Sequence, residues 1–151
     1  MKYDALLDEA NAEGISIKER PFKTYDGRIK GKDIYLRKDM NTTEKGCVLA
    51  EELGHYYTSV GNIIDMDSSS NRKQERQARL WAYNKQIGLK GLVRAYEHGC
   101  TASHEIAEYL DVTEEALQEC IEFYRDKYGE YKTFDHYIIF FIPHLAVLKK
   151  I

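Results

Sequence analysis

The chain has little net charge, few cysteines and no long apolar run, and each absence narrows what it can be. No stretch approaches the roughly 18 consecutive apolar residues of a membrane-spanning helix. The longest apolar-rich run, Tyr137 to Leu148, is broken by Pro143 and His144. The opening Met1-Lys2-Tyr3-Asp4 leads into an acidic amphipathic pattern, not a secretion signal. The expectation is therefore a cytoplasmic protein without a membrane association. Cys47, Cys100 and Cys120 are odd in number and nowhere spaced as CxxC, so reduced, buried thiols are expected. A net charge of −3 gives no global attraction to nucleic acid or lipid. There are no internal repeats, and low complexity is confined to Ser68-Ser69-Ser70.

What is present is the composition of a globular domain: 151 residues, 43% hydrophobic and 31% charged, enough to bury a sizeable core. The small net charge conceals an asymmetry. Ile15 to Met40 is locally basic and Ser103 to Tyr128 strongly acidic. The simplest reading is two solvated faces; the functional reading is a surface that selects a charged protein partner.

Residues 1–13 have the pattern of a first helix, with Leu6, Leu7 and Ala10 as its stripe and Gly14 at the C-cap position. Three short strand candidates follow: Ile15 to Lys18, Arg28 to Lys30 after an Asp26-Gly27 turn, and Ile34 to Arg37. Asn41 and Glu44 have the spacing of a capping box, predicting a helix from there to about Thr58. A polar loop over residues 62–71 precedes a second long helix, about Arg72 to Ile87. Helix continues from Lys90 to about Lys127, with breaks at Gly99 and Asp111-Val112-Thr113. Tyr131 to Leu148 is aromatic and β-branched and returns as strand.

The chemistry gathers on the helix that Asn41 starts. At about 100° per residue, Gly46, Leu49, Ala50, Leu53 and Tyr57 share one side, and Glu44, Val48, Glu51, Glu52 and His55 share the other. Glu51 and His55, four apart, can reach one ion, with Glu52 offset beside them. This is the geometry of the zinc-peptidase helix H-E-x-x-H, in which the outer residues hold the metal and the glutamate after the first ligand takes a proton from water. Here the segment reads Glu51-Glu52-Leu53-Gly54-His55. A carboxylate in the first position remains an acceptable zinc ligand. A Glu-rich solvated helix face is the alternative for this helix taken alone. Glu75, on the second helix and followed on its face by Ala78 and Ala82, is a candidate third ligand, because small residues let two helices approach closely. Its alternative is an ordinary carboxylate at a helix N-terminus.

The stretch Val48-Leu49-Ala50-Glu51-Glu52-Leu53-Gly54-His55-Tyr56-Tyr57, followed by Glu75, Ala78, Trp81 and Ala82, resembles the ImmA/IrrE family of metallopeptidases. The family's helices read H-E-[LIF]-[GA]-H and E-x-x-A-x-x-[FW]-A, and the likeness runs from about Gly14 to Ile87. The resemblance implies a zincin-like α+β fold, Zn²⁺ as cofactor, Glu52 as general base, and His55 and Glu75 as the second and third metal ligands. Glu51 stands where the family has its first histidine and takes that ligand's place. Zinc itself is preferred through this resemblance, since a Glu/Glu/His set also suits harder ions. Many family members come from phages or other mobile elements and act as anti-repressors, cutting a helix-turn-helix transcriptional repressor. That is the protein substrate expected here.

The expected organisation is a zincin-like core over residues 1–90, with a small N-terminal sheet covering the active-site helix. A helical extension over residues 91–151 packs on it and carries a helix-turn-helix-like unit. An extended substrate can be presented along the Ile34–Leu36 strand by β-augmentation. The second helix of the Ser103–Lys127 unit bears Glu114, Glu115, Glu119 and Glu122, which repel phosphates, so direct nucleic-acid binding is not expected. Two rival functions follow from the same residues: a non-catalytic protein that sequesters the repressor, and a DNA-binding regulator built on Ser103–Lys127. His98, His104, His136 and His144 are read as surface or satisfied histidines, Tyr56, Tyr57, Tyr109 and Tyr124 as packing residues, and Trp81 as packed between the second helix and the sheet.

Overall fold

The computed structural model describes residues 2–59 and 68–151, with backbone alone for 68–71. These residues form an α+β fold of six helices and two three-stranded sheets, in two compact units, Met1–Lys85 and Gln86–Ile151.

In the first unit, α1 (Lys2–Ala12) buries Tyr3, Leu6 and Ala10. It ends at Gly14, whose φ of +78° is a conformation that a side chain would strain. Three strands follow: β1 (Ser16–Arg20), β2 (Gly27–Lys30) and β3 (Asp33–Arg37). Only Gly31 and Lys32 separate β2 from β3, so the two close as an antiparallel hairpin with Ile29 opposite Ile34. That leaves the other side of β3 for β1, which runs parallel to it with Ile17 opposite Ile34. The order is therefore β1-β3-β2. This corrects the expectation that the Ile34–Leu36 strand offers an edge. β3 is paired on both sides, and β2 is an edge strand instead.

Alternation along the strands separates two faces. Ile34 and Leu36 are fully buried, with Ile17 and Ile29 packed beside them in one core cluster with Leu49, Ala50 and Leu53. These last three come from α2 (Thr42–Thr58), whose start is fixed as the sequence predicts. Asn41 Oδ1 accepts from the Glu44 amide at 2.8 Å, and Glu44 Oε1 accepts from the Asn41 amide at 3.1 Å. A polar clamp ties the same pieces together from outside. Glu19 of β1 accepts from the Tyr3 hydroxyl at 2.7 Å and from Lys45 Nζ at 2.9 Å.

The next helix, α3 (Ser68–Gln86), begins inside the stretch expected to be loop; the loop's residues 62–67 lie outside the described residues. It crosses α2 at Gly54, where an added Cβ would run into the Ala78 carbonyl oxygen. Ala78 and Ala82 are buried, as small residues at such a crossing must be. Trp81 packs half-buried against the core cluster of the first unit. It stacks on Tyr57 of α2, ring centroids 5.2 Å apart, and Tyr57 stays partly exposed instead of filling the core.

The second unit holds α4 (Gly88–Glu97), α5 (Ser103–Leu110), α6 (Glu114–Tyr128), and an antiparallel sheet of β4 (Tyr131–Phe134), β5 (Tyr137–Phe140) and β6 (Ala146–Lys149), with β5 central. The turn between α5 and α6 is the expected one. Asp111 takes φ +54°, and Thr113 Oγ1 accepts from the Ala116 amide to start α6. Leu117, Cys120, Ile121 and Tyr124 form the buried side of α6, while Glu114, Glu115, Glu119 and Glu122 lie off it. Of the three thiols, only Cys120 is fully buried; Cys47 and Cys100 are half-buried, and all three are free. Among the described residues no helix is long and apolar enough to cross a membrane.

Candidate metal centre

The polar side of α2 meets the first turns of α3 where Gly54 allows the two backbones to touch. This brings three side chains together. One donor atom from each of Glu51, His55 and Glu75 lies within 4.8 Å of the other two. His55 Nε2 and Glu75 Oε2 are 3.2 Å apart, close to the edge of about 3.3 Å expected between ligands of a tetrahedral ion held at about 2.0–2.1 Å. Glu51 and Glu75 are half-exposed and His55 less so, so the cluster opens to solvent on one side. Among the described residues this is the one such group with a geometry able to hold an ion. The other four histidines all belong to the second unit and take no part in it.

Glu52 points differently. Its carboxylate turns toward β2, against Gly27: a Cβ built on Gly27 would lie 3.2 Å from Glu52 Oε1, 3.1 Å from its Cγ, and 2.5 Å from a Val48 methyl. Burial raises its pKa first, and the charges of Glu51 and Glu75 add to that, pushing it up to about 7. A carboxyl group poised there can both accept and release a proton near neutral pH. Glu52 and His55 line a cleft of about 610 Å³ with Tyr56 and Ser59; Arg28, Ile29 and Lys30 of β2 and Gly31 of the turn after it complete the lining.

Two participants were not legible beforehand. Arg79, one turn after Glu75, places its Nε 3.3 Å from Glu75 Oε1 and 3.6 Å from Glu51 Oε1, so one guanidinium orients both carboxylates. The i,i+4 spacing from Glu75 was the available signal. Gly27 looked like part of a turn; a glycine opening a strand was the sign that something approaches the backbone closely.

Residues 10–122 match the Peptidase M78 family, described as the IrrE N-terminal-like domain. The chain belongs to this family. No curated protein and no solved structure gives a significant match. Membership of the IrrE-like peptidases makes the α+β fold zincin-like and implies a metal. The donor set fits one: an imidazole nitrogen and two carboxylate oxygens from two rigid helices, close enough to converge on one ion. The IrrE-like match extends beyond the first compact unit, through α4, α5 and most of α6.

Proposed function

We propose that this protein is a zinc-dependent endopeptidase that cleaves a helix-turn-helix repressor, serving as the anti-repressor of a phage or mobile element. The observation that carries this reading is the Glu51–His55–Glu75 cluster beside the half-buried Glu52 carboxylate, with His55 and Glu52 lining a cleft that β2 also lines. Glu51, His55 and Glu75 are the proposed metal ligands and Glu52 the catalytic residue. A zinc ion held there supplies the charge that acidifies water and polarises a peptide carbonyl. Glu52 accepts the water's proton at its carboxylate oxygen and delivers it to the nitrogen of the departing amine. The edge of β2, unpaired among the described residues, aligns the substrate backbone by main-chain hydrogen bonds, and Arg79 holds the two ligand carboxylates in place. We assign residues 1–90 to the catalytic core and 91–151 to a helical extension, and we place the reaction in the cytoplasm. Direct contact with nucleic acid or membrane has no part in it.

A second reading has one specific observation behind it. Glu51 replaces a histidine and lies 3.6 Å from Arg79, an arrangement that also suits a scaffold that sequesters its partner without cutting it. The two readings part on Glu52→Gln. Wild-type protein supplied with zinc and mixed with the repressor of its own element should generate new termini detectable by mass spectrometry. Glu52→Gln should bind zinc equally and generate none. Absence of cleavage by the wild type, with tight repressor binding by both, contradicts the peptidase reading and establishes sequestration.

A further inference from the structure

The solvent face of the first sheet carries more positive charge than its own partners neutralise. Lys18 pairs with Asp33 at 4.0 Å and Arg37 with Asp26 at 3.1 Å. Arg20, Arg28 and Lys30 have no carboxylate within ion-pair distance among the described residues, although Arg20 Nη1 donates to its neighbour's carbonyl. These three converge on one pocket of about 240 Å³, walled by Phe22, Tyr25 and Tyr35. Three exposed cations at one spot repel each other, and an anionic occupant removes that cost.

We infer that Arg20, Arg28 and Lys30, with Phe22, Tyr25 and Tyr35, form a specificity subsite for acidic side chains of an extended substrate strand paired to the edge of β2. The inference rests on the proposed peptidase reading for the nature of its occupant. Arg28 and Lys30 belong to both the pocket and the wall of the metal-side cleft, so the two are continuous across the β2 edge. A strand added to that edge continues the pleat. Its alternate side chains fall on the outer face beside Arg28 and Lys30, within about 5 Å of their cross-strand neighbours. The intervening side chains turn toward the cleft that Glu52 and His55 line, where the Glu52 carboxylate repels an acid. The preferred segment thus has Asp or Glu at every second position and none between.

The same pocket is poorly built for a nucleic-acid strand. Base stacking needs a free aromatic face, and each of these rings already packs against a neighbour. Phe22 and Tyr25 have centroids 4.3 Å apart, Arg28 lies over Tyr25 at 5.9 Å, and Lys18 over Tyr35 at 5.7 Å.

The test uses full-length, zinc-supplied Glu52→Gln protein and two fluorescent, strand-forming peptides that differ only in carrying Glu or Gln at alternate positions. Fluorescence anisotropy at low ionic strength should show the Glu peptide binding about tenfold more tightly. The preference should vanish in Arg28→Gln/Lys30→Gln and persist in Lys90→Gln, an exposed cation of the second unit. Equal affinity, no binding of either peptide, or a preference that survives the double substitution overturns the inference. So does displacement of the Glu peptide by a trace of oligothymidylate, which would make the face a nucleic-acid site. Failure of the peptidase reading is distinguishable. Acid-selective binding combined with no cleavage by wild type removes catalysis and leaves the subsite, whereas cleavage without acid preference does the reverse.

Discussion

The character of Glu52, the proposed catalytic residue, is set by the residues packed around it. Its elevated proton affinity comes from burial, with Glu51 and Glu75 adding to it, and its direction comes from Gly27, whose missing side chain leaves room for the carboxylate. Gly27→Ala should therefore push on Glu52 and Val48 together. Since misplacing a catalytic group by about 1 Å can cost about 100-fold, the variant is expected to lose between tenfold and 100-fold in kcat/KM while retaining its metal, checked by peptide cleavage and metal analysis on the same preparation. A second residue-scale expectation concerns Glu19. The hydrogen bond from Tyr3, then that from Lys45, holds its carboxyl below the ordinary range. A group with a lowered folded pKa stabilises the fold above its unfolded value, near pH 4.3, and that contribution disappears as pH falls through the lower, folded value. Tyr3→Phe removes the first-ranked cause. It should cost about 1 kcal/mol at neutral pH and move the acid-unfolding midpoint upward, as measured by circular dichroism across an acid titration.

Among the elements, the crossing of α2 and α3 governs the site, because two of the proposed ligands come from one helix and the third from the other. Gly54 has no room for a methyl group against the Ala78 carbonyl. Gly54→Ala should force the helices apart, destabilise the protein by about 1–3 kcal/mol, and weaken metal binding by displacing Glu75 from His55. Urea unfolding and a metal-competition titration measure the two effects; an unchanged metal affinity would mean that Glu75 does not depend on this crossing. The helices themselves were legible in the sequence. The Asn41–Glu44 capping box fixed where α2 starts, and from that start the 100° step put Glu51 and His55 together. The strand order was not legible. Alternating Ile and Leu residues mark β1 and β3 as strands but do not say which one is central. That followed from the two-residue connection of β2 to β3 and from β1 returning parallel on the far side. Contacts such as Gly27 with Glu52, or Arg79 with both Glu51 and Glu75, depend on that order and on the helix crossing, so neither motif spacing nor composition encodes them directly.

At the scale of the whole molecule, the family match covers residues 10–122, and the site falls entirely within the first compact unit. The helical reading of the second unit was available from its periodicity, and the breaks at Gly99 and Asp111 fell where positive φ values occur. A partner for it was not, because the acidic side of α6 specifies a charge and nothing more. The claim on which the rest depends is that Glu51 serves as a ligand in the first position of the H-E-x-x-H pattern. Elemental analysis of untagged, zinc-supplied protein tests it most directly, comparing wild type, Glu51→Ala and Glu52→Gln. The account predicts about one zinc per chain in wild type and in Glu52→Gln, and its loss in Glu51→Ala. No retained zinc in the wild type, or undiminished zinc in Glu51→Ala, would contradict it.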